Sequence, residues 1–200
     1  LKKFTILLDP GPLPGLFFYP NMISIEGNII NKDGQKKLRV EIDEVSGLIS
    51  KVSEPTGTAD FIFKDELIFP GFIDLHVHAR EDMSHTQDYK EDFQSTSEAA
   101  INGGVVAFAD MPNNPVPPID EASYKAKNNL AQNSNVPILL YAGIGQKTKP
   151  LAEKVPYKVF MGPSIGELFF HSNEELEERI KLYEGQNISF HCEDPKILDE

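Results

Sequence analysis

An alternation of short apolar runs with longer, helix-favouring runs begins at Phe72, and it constrains the fold more than any other feature of the sequence. The apolar runs are "FIDLHVHA" (72–79), "VVAFADM" (105–111), "PILLYAGI" (137–144), "YKVFMG" (157–162) and "ISFHCE" (188–193). The runs between them predict helices over 89–101, 120–132 and 172–185, with a short one near 150–154. Strands that alternate with helices indicate right-handed βαβ units and a parallel sheet. The predicted class is therefore α/β.

The chain before this alternation has another pattern. Residues 1–66 consist of short strand-like runs separated by turn sequences, and they predict a separate β-rich domain, followed by the α/β domain over 67–200. About five βα units do not close a barrel, and an open parallel edge is unfavourable. Asp194-Pro195 resembles the start of another helix, and the sequence stops shortly after it. We therefore expect this chain to be the N-terminal portion of a longer protein.

Composition narrows the classes of partner and the setting. The net charge of −12 is unfavourable for binding nucleic acid or an anionic membrane. The sequence has no apolar stretch of about 18 residues, so we expect no transmembrane helix. The single cysteine, Cys192, cannot form an internal disulfide, which is typical of a reducing, cytoplasmic setting.

The first run of the α/β region carries an unusual set of polar residues. The two-residue period of a strand places one carboxylate, two imidazoles and one guanidinium on a single face: Asp74, His76, His78 and Arg80. An apolar core would not tolerate these groups without partners. Two histidines at i and i+2 can face one metal ion near the carboxyl end of a strand, where parallel barrels build their sites. This set favours a metal site, although an HxH pair alone is a weak signal.

Two later strands add candidates. His191 lies at the end of the fifth run, which favours a third metal ligand over a buried, hydrogen-bonded histidine. Lys158 lies at the start of an apolar run, where lysine is uncommon. It either extends from the strand end to solvent or is a desolvated amine with a lowered pKa. Such an amine can take up carbon dioxide and become a carbamate that bridges two metal ions.

The stretch from Phe69 to Asp120 resembles the dihydroorotases of the amidohydrolase superfamily, most of all the type fused into animal multifunctional pyrimidine enzymes. The motifs that carry the resemblance are HxHxR, "KEDF", "MPN", the strand lysine and the strand histidine. The resemblance covers roughly 67–200 strongly. It implies a TIM-like (β/α)8 barrel, of which this sequence holds about five βα units. Residues 1–66 resemble the family's N-terminal β-sandwich only loosely.

The resemblance also implies roles for individual residues. His76 and His78 would bind the more buried of two zinc ions, carboxylated Lys158 would bridge both ions, and His191 would bind the second. Arg80 and Asn113 would hold the substrate's carboxylate, and Asp74 would support the ligands from outside. The implied activity is the interconversion of N-carbamoyl-L-aspartate and dihydroorotate in pyrimidine biosynthesis.

Several departures leave alternatives open. The family usually reads "REPG" and "MPNT" where this sequence reads "REDM" and "MPNN", the latter a change at Asn114. The family's catalytic aspartate and a further metal-binding histidine are expected beyond Glu200. A hydantoinase or allantoinase would share the metal ligands, but Arg80 with Asn113 favours a carboxylated ring. An inactive dihydroorotase-like scaffold is the third reading, and a homo-oligomer is left open.

Overall fold

The structure is a computed structural model, which describes residues 22–164, 168–194 and 197, and it divides into two units between Gly71 and Phe72. The first unit is a single four-stranded sheet, and the second contains the βα alternation. The predicted run "FTILL" (4–8) lies outside the described residues. No helix in the described ranges is long and apolar enough to cross a membrane.

The sheet of the first unit confirms the remaining strands predicted before Phe72. Its strands are β1 (Met22–Asn31), β2 (Gly34–Asp43), β3 (Leu48–Ser53) and β4 (Phe61–Ile68). They lie in the order β3-β2-β1-β4, with β1 antiparallel to β2 and parallel to β4. Gly34 closes the β1–β2 hairpin with a φ of 104°, a conformation that glycine adopts without steric cost. Whether this sheet belongs to a β-sandwich stays a prediction.

A buried carboxylate fixes the loop between β3 and β4. Glu26 on β1 is 2% exposed and accepts the backbone N–H groups of Thr56 at 2.7 Å and Gly57 at 2.9 Å. The Arg39 guanidinium is 3.2 Å from the same carboxylate. The hydrogen bond from the Thr56 backbone is the largest cause that lowers the pKa of Glu26 to about 2. The charged form of Glu26 therefore holds three segments of the unit together.

The second unit contains the predicted parallel strands. They are β5 (Phe72–Val77), β6 (Val105–Asp110), β7 (Ile138–Leu140), β8 (Ala142–Ile144), β9 (Tyr157–Phe160) and β10 (Ile188–His191). Their pairing is parallel in the orders β5-β6-β7 and β8-β9-β10. The single strand predicted over 137–144 is interrupted at Tyr141, whose N–H donates to the Asp110 carbonyl at 3.0 Å.

Three α-helices connect these strands, and side-chain caps define where they begin. They are α1 (Phe93–Gly103), α2 (Glu121–Leu130) and α3 (Asn173–Ile180). Asp120 caps α2 as predicted and forms a capping box with Ser123. Ser172 caps α3 as predicted, but the Glu175 carboxylate accepts from the His171 N–H at 3.2 Å. The described contacts of α3 therefore include only the Ser172 half of its predicted capping box.

One predicted helix begins later than expected, and another is absent. The helix predicted over 89–101 begins only at Phe93, because the Asp92 side chain caps it and Glu81 accepts the Phe93 N–H at 2.8 Å. The short helix predicted near 150–154 does not form. Two of its backbone N–H groups donate instead to side chains, Leu151 to the Tyr157 hydroxyl and Ala152 to Glu121.

Two apolar clusters make up the core of the second unit. One joins α1, β6 and β7 through Phe93, Phe108 and Leu140, and the other joins β8, β9 and α3. On β5, Val77 packs against the first cluster, but Ile73 and Leu75 are 64% and 63% exposed. The prediction that this whole face of β5 packs on helices is therefore wrong for its first half.

Candidate metal and substrate site

The two histidines of the HxH pair lie on either side of the end of β5. His76 is in the strand, whereas His78 follows its last residue, Val77. Their ring centroids are 5.2 Å apart. The prediction that the strand continues to 79 is wrong: β5 ends at Val77, and the Ala79 N–H donates to the Asp110 side chain at 2.8 Å and not to a backbone carbonyl. The histidines thus project from the carboxyl end of β5.

Both imidazoles are in surroundings that favour their neutral form. Burial lowers the pKa of His76, and the nearby positive charge of Lys158 lowers it further. Burial likewise lowers the pKa of His78, and the Arg80 guanidinium adds to that effect. Neutral imidazole is the form that binds metals. Nδ1 of His78 is buried and has no hydrogen-bond partner among the described residues.

Lys158 is buried and does not extend to solvent. It lies on β9 opposite Ser189 of β10, and it is 2% exposed. Its Nζ is 5.5 Å from the ring centroid of Phe160 and has no ion-pair or hydrogen-bond partner in the described part of the chain. Burial lowers the pKa of this amine. A buried amine without a matching negative charge is costly, and that cost favours the uncharged form.

Unlike the exposed His76 and the buried Lys158, His191 at the end of β10 is partly buried. Its side chain is 42% exposed, and its Nε2 lies 2.8 Å from a Glu193 carboxylate oxygen. His191, like Lys158, adds to the lowering of the His76 pKa. Asp74 contacts the backbone: its Oδ1 accepts from the His76 N–H at 3.0 Å.

These groups fit a metal ion by their chemistry. The site offers two imidazoles whose pKa values are lowered, and Nδ1 of His78 is buried without a hydrogen-bond partner among the described residues. Imidazoles are common ligands of zinc. Lys158 fits only after modification, because an ammonium would repel a cation. A carbamate on the same nitrogen would replace that positive charge with two oxygen ligands.

The predicted substrate residues are also adjacent. Arg80 Nη1 donates to the Asn113 carbonyl at 3.3 Å, and Asn113 Nδ2 donates to the Ser164 hydroxyl at 3.3 Å. The side-chain oxygen Oδ1 of Asn113 is buried and unpartnered within the described ranges. Arg80 adopts a φ of 64°, which is uncommon for a residue other than glycine. The loops after β5 and β6 therefore bring the Arg80 guanidinium against the backbone of Asn113.

Sequence reasoning missed two further groups of polar side chains. Glu81, His85 and Asp88 each place one ligand atom within 4.8 Å of the others, a spacing that a metal ion could use. Their described contacts are structural, since Glu81 accepts the first N–H of α1 and His85 Nδ1 lies 2.7 Å from Asp88. The "REDM" departure could have drawn attention to this loop.

The second missed group is a buried ion pair. The Nζ of Lys127 on α2 lies 2.7 Å from Oδ2 of Asp110 at the end of β6. The two side chains are 2% and 0% exposed. No feature of the sequence marks Lys127, because a lysine on an amphipathic helix is usually exposed.

The family of this chain follows from its sequence relatives. Residues 67–155 match the amidohydrolase family. This region is an amidohydrolase sequence. The dihydroorotase of Thermococcus kodakarensis is 33% identical over 162 residues, which are 78% of this chain and 37% of that protein. The dihydroorotase of Pyrococcus furiosus is 31% identical over 177 residues, or 88% of this chain and 38% of that protein. The predicted resemblance to dihydroorotases is confirmed.

Other amidohydrolase relatives carry different names. The allantoinase of Bacillus licheniformis is 28% identical over 193 residues, which are 87% of this chain and 42% of that protein. The chain thus spans well under half the length of the curated relatives that it matches.

Solved structures support the fold class. The L-hydantoinase from Arthrobacter aurescens aligns with a TM-score of 0.73 at 21% identity, over 88% of this chain and 42% of that chain. A D-hydantoinase aligns with a TM-score of 0.67 at 20% identity, over 89% of this chain and 41% of that chain. At such identities the likeness concerns the fold alone. The predicted α/β class is confirmed.

Proposed function

We propose that this chain supplies metal- and substrate-binding residues of a zinc-dependent dihydroorotase, which interconverts N-carbamoyl-L-aspartate and (S)-dihydroorotate. The proposal includes the fold detail. Strands β5 to β10 are the first part of a TIM-like (β/α)8 barrel, and 1–66 are part of a β-sandwich. What supports the proposal is the likeness to the two hydantoinase structures, which align over 88% and 89% of this chain.

The proposed metal centre holds two zinc ions. His76 and His78 would hold the first, His191 would hold the second, and carboxylated Lys158 would supply oxygen ligands. The enclosed, unpaired amine of Lys158 and the unpartnered Nδ1 of His78 support this assignment. Bound zinc would activate water and polarise the scissile amide carbonyl.

The Arg80–Asn113 contact is the observation that carries the choice of substrate. Arg80 lies against Asn113 two residues after His78, so a guanidinium fork and an amide occupy the same end of the sheet as the imidazoles. A planar guanidinium binds a carboxylate through two parallel charge-assisted hydrogen bonds. These two residues would hold the carboxylate of dihydroorotate and turn the ring amide towards the histidines. Ser164 would keep the Asn113 amide in place.

An allantoinase or hydantoinase is the second candidate, and the Bacillus licheniformis allantoinase relative favours it. Neither hydantoin nor allantoin carries a carboxylate on its ring, so neither would use the Arg80 guanidinium in this way. An inactive dihydroorotase-like scaffold is a third candidate, which would retain the fold without turnover.

A substrate panel with the full-length, zinc-loaded protein tests the proposal. We expect hydrolysis of dihydroorotate and closure of carbamoyl aspartate, with hydantoin and allantoin turned over at least about a hundredfold more slowly. Such a ratio is within reach of a site that pairs a buried polar group with its substrate. Preferred turnover of hydantoin or allantoin would establish the second candidate. A zinc-loaded protein inactive on all of them would establish the scaffold.

A further inference from the structure

A network of buried charged side chains connects the loop after β5, which carries Arg80, with the loop after β6, which carries Asn113. These two loops are called the substrate loops. Besides its ion pair with Asp110, Lys127 donates a hydrogen bond to the side-chain oxygen of Asn114. Its Nζ also lies 5.8 Å from the ring centroid of Phe93 on α1. Lys127 thus connects α2 with the end of β6 and the loop that follows it.

The same network reaches the loop after β5. The second oxygen of Asp110, Oδ1, accepts the Ala79 N–H at 2.8 Å. Glu81 N–H then donates to the Ala79 carbonyl at 2.8 Å, so Arg80 is the central residue of a three-residue turn. Its left-handed φ of 64° is a costly conformation that persists only where the surroundings enforce it. The hydrogen bond from Ala79 to Asp110 enforces it from the preceding residue.

Such a buried pair is poorly explained by stability alone. Replacing a buried ion pair with apolar side chains is often neutral or stabilising, whereas removing one partner is strongly destabilising. The pair can instead fix where the two substrate loops lie, because it has hydrogen-bond partners in both of them. Asp110 holds the residue before Arg80, and Asn114 is the residue after Asn113.

We propose that Lys127, together with Asp110 and Asn114, is a positioning network that sets the mutual placement of Arg80 and Asn113. None of the three touches the substrate. The inference rests on the proposed function in one respect: the group that Arg80 and Asn113 grip is the carboxylate of dihydroorotate. Asn114, where the resembling family usually has threonine, gives the network its amide acceptor for Lys127.

Steady-state kinetics of the full-length protein test this role. Lys127→Met should raise KM for dihydroorotate about tenfold, while kcat changes less than threefold and zinc content is unchanged. Lys125→Met is the matched control, since Lys125 lies on the same helix and is exposed. Because Lys127 acts in part through Arg80, adding Lys127→Met to Arg80→Ala should raise KM by a smaller factor than Lys127→Met does in the wild-type protein. Additive effects, or a loss of kcat and zinc together, would overturn the proposal.

Amide hydrogen exchange provides a readout that does not depend on the substrate. In Lys127→Met, exchange at Ala79 should accelerate at least tenfold, with no change in the Lys125→Met control. If Lys127→Met does not fold, Asp110→Asn/Lys127→Met takes its place, because that pair leaves no unmatched buried charge. Unchanged exchange at Ala79 overturns the positioning role whatever the substrate. If exchange at Ala79 accelerates in Lys127→Met but the wild-type protein does not act on dihydroorotate, the loop positioning is upheld and the proposed function is overturned.

Discussion

At the scale of single residues, Lys158 departs furthest from the usual behaviour of its type. Lysine is among the residues least often found fully buried, and here it is 2% exposed with no counter-ion among the described residues. Its surroundings lower its pKa through burial, which makes the neutral, nucleophilic amine more available to carbon dioxide. The same surroundings would be unfavourable for an unmodified, charged lysine.

We therefore expect Lys158→Ala to reduce both zinc content and activity of the full-length protein sharply. A short carboxylic acid in solution should partly restore both, because its two oxygens can occupy the position of the carbamate. Lys158→Arg should not restore them, since a guanidinium does not form a carbamate. Zinc content by elemental analysis, with and without added acid, checks the prediction. A fully metallated, active Lys158→Arg protein would contradict it.

Arg80 makes a separable prediction, because its proposed role is to bind substrate and not metal. Arg80→Ala should raise KM for dihydroorotate by one to two decades, which corresponds to the loss of a charge-assisted contact of about 1.5–3 kcal/mol. Zinc content should stay at the wild-type level. The role is wrong if zinc is lost while KM is unchanged.

At the scale of elements, side-chain hydrogen bonds to backbone groups decide where structure begins and ends. Asp92 and Asp120 start α1 and α2, and Glu26 fixes the segment between β3 and β4. In all three cases hydrogen bonds to the carboxylate lower its pKa. The largest cause is a backbone N–H group for Asp92 and Glu26 and the Ser123 side chain for Asp120. These elements are therefore sensitive to acid.

For Glu26, the pKa shows in which direction stability changes with pH and over which pH range. Its pKa is about 2 in the folded state against 4.5 for the free side chain, so the unfolded chain binds more protons between these values. The stabilisation is complete above pH 4.5 and is lost as pH falls towards 2. Glu26→Gln should lower the urea midpoint of the first unit at pH 7, and the difference from wild type should shrink across this range.

Hydrogen exchange in peptides from 22–68 of the full-length protein, measured along a urea series, reports on this unit alone. Glu44→Gln is the control, because Glu44 is exposed in the turn after β2. A Glu26→Gln difference that is constant from pH 7 to pH 2.5 would show that the charge of Glu26 is not what stabilises the loop.

The same elements show how far sequence patterns reach. Asp120 was predictable because a cap and the helix that it starts are neighbours in sequence. The absent helix near 150–154 was not, because its N–H groups are taken by Tyr157 and Glu121, whose positions depend on tertiary structure. Lys127 was unpredictable for the same reason: its partner Asp110 is brought to it only by the packing of α2 on β6. Whether the strand-end residues form the metal site stays a prediction.

At the scale of the whole molecule, the candidate ligands of the second unit lie on three strands that are separated in sequence. His76, Lys158 and His191 lie on β5, β9 and β10. A metal ion bound by all three would connect the first and last described strands of the unit. Because such an ion binds only the folded arrangement, it would stabilise the fold by mass action.

Chelation of the full-length protein tests this coupling. Removal of zinc should abolish dihydroorotate hydrolysis and lower Tm, and a ligand present at a hundred times its Kd contributes about 2.7 kcal/mol. Adding zinc back should restore both, whereas magnesium, which prefers oxygen ligands, should not. Full activity in protein freed of metal would rule out the metal centre.

The left-handed backbone of Arg80 has a consequence for how this protein can be improved or can evolve. Its φ of 64° suits glycine, and a residue in such a region costs of order 1–3 kcal/mol. Arg80→Gly would relieve that cost while it removes the guanidinium. A library screened only for survival of heating should therefore accumulate glycine at this position and lose catalysis as it does so. Screening the same library for turnover should restore arginine. Selection for stability and selection for activity therefore favour different residues at position 80.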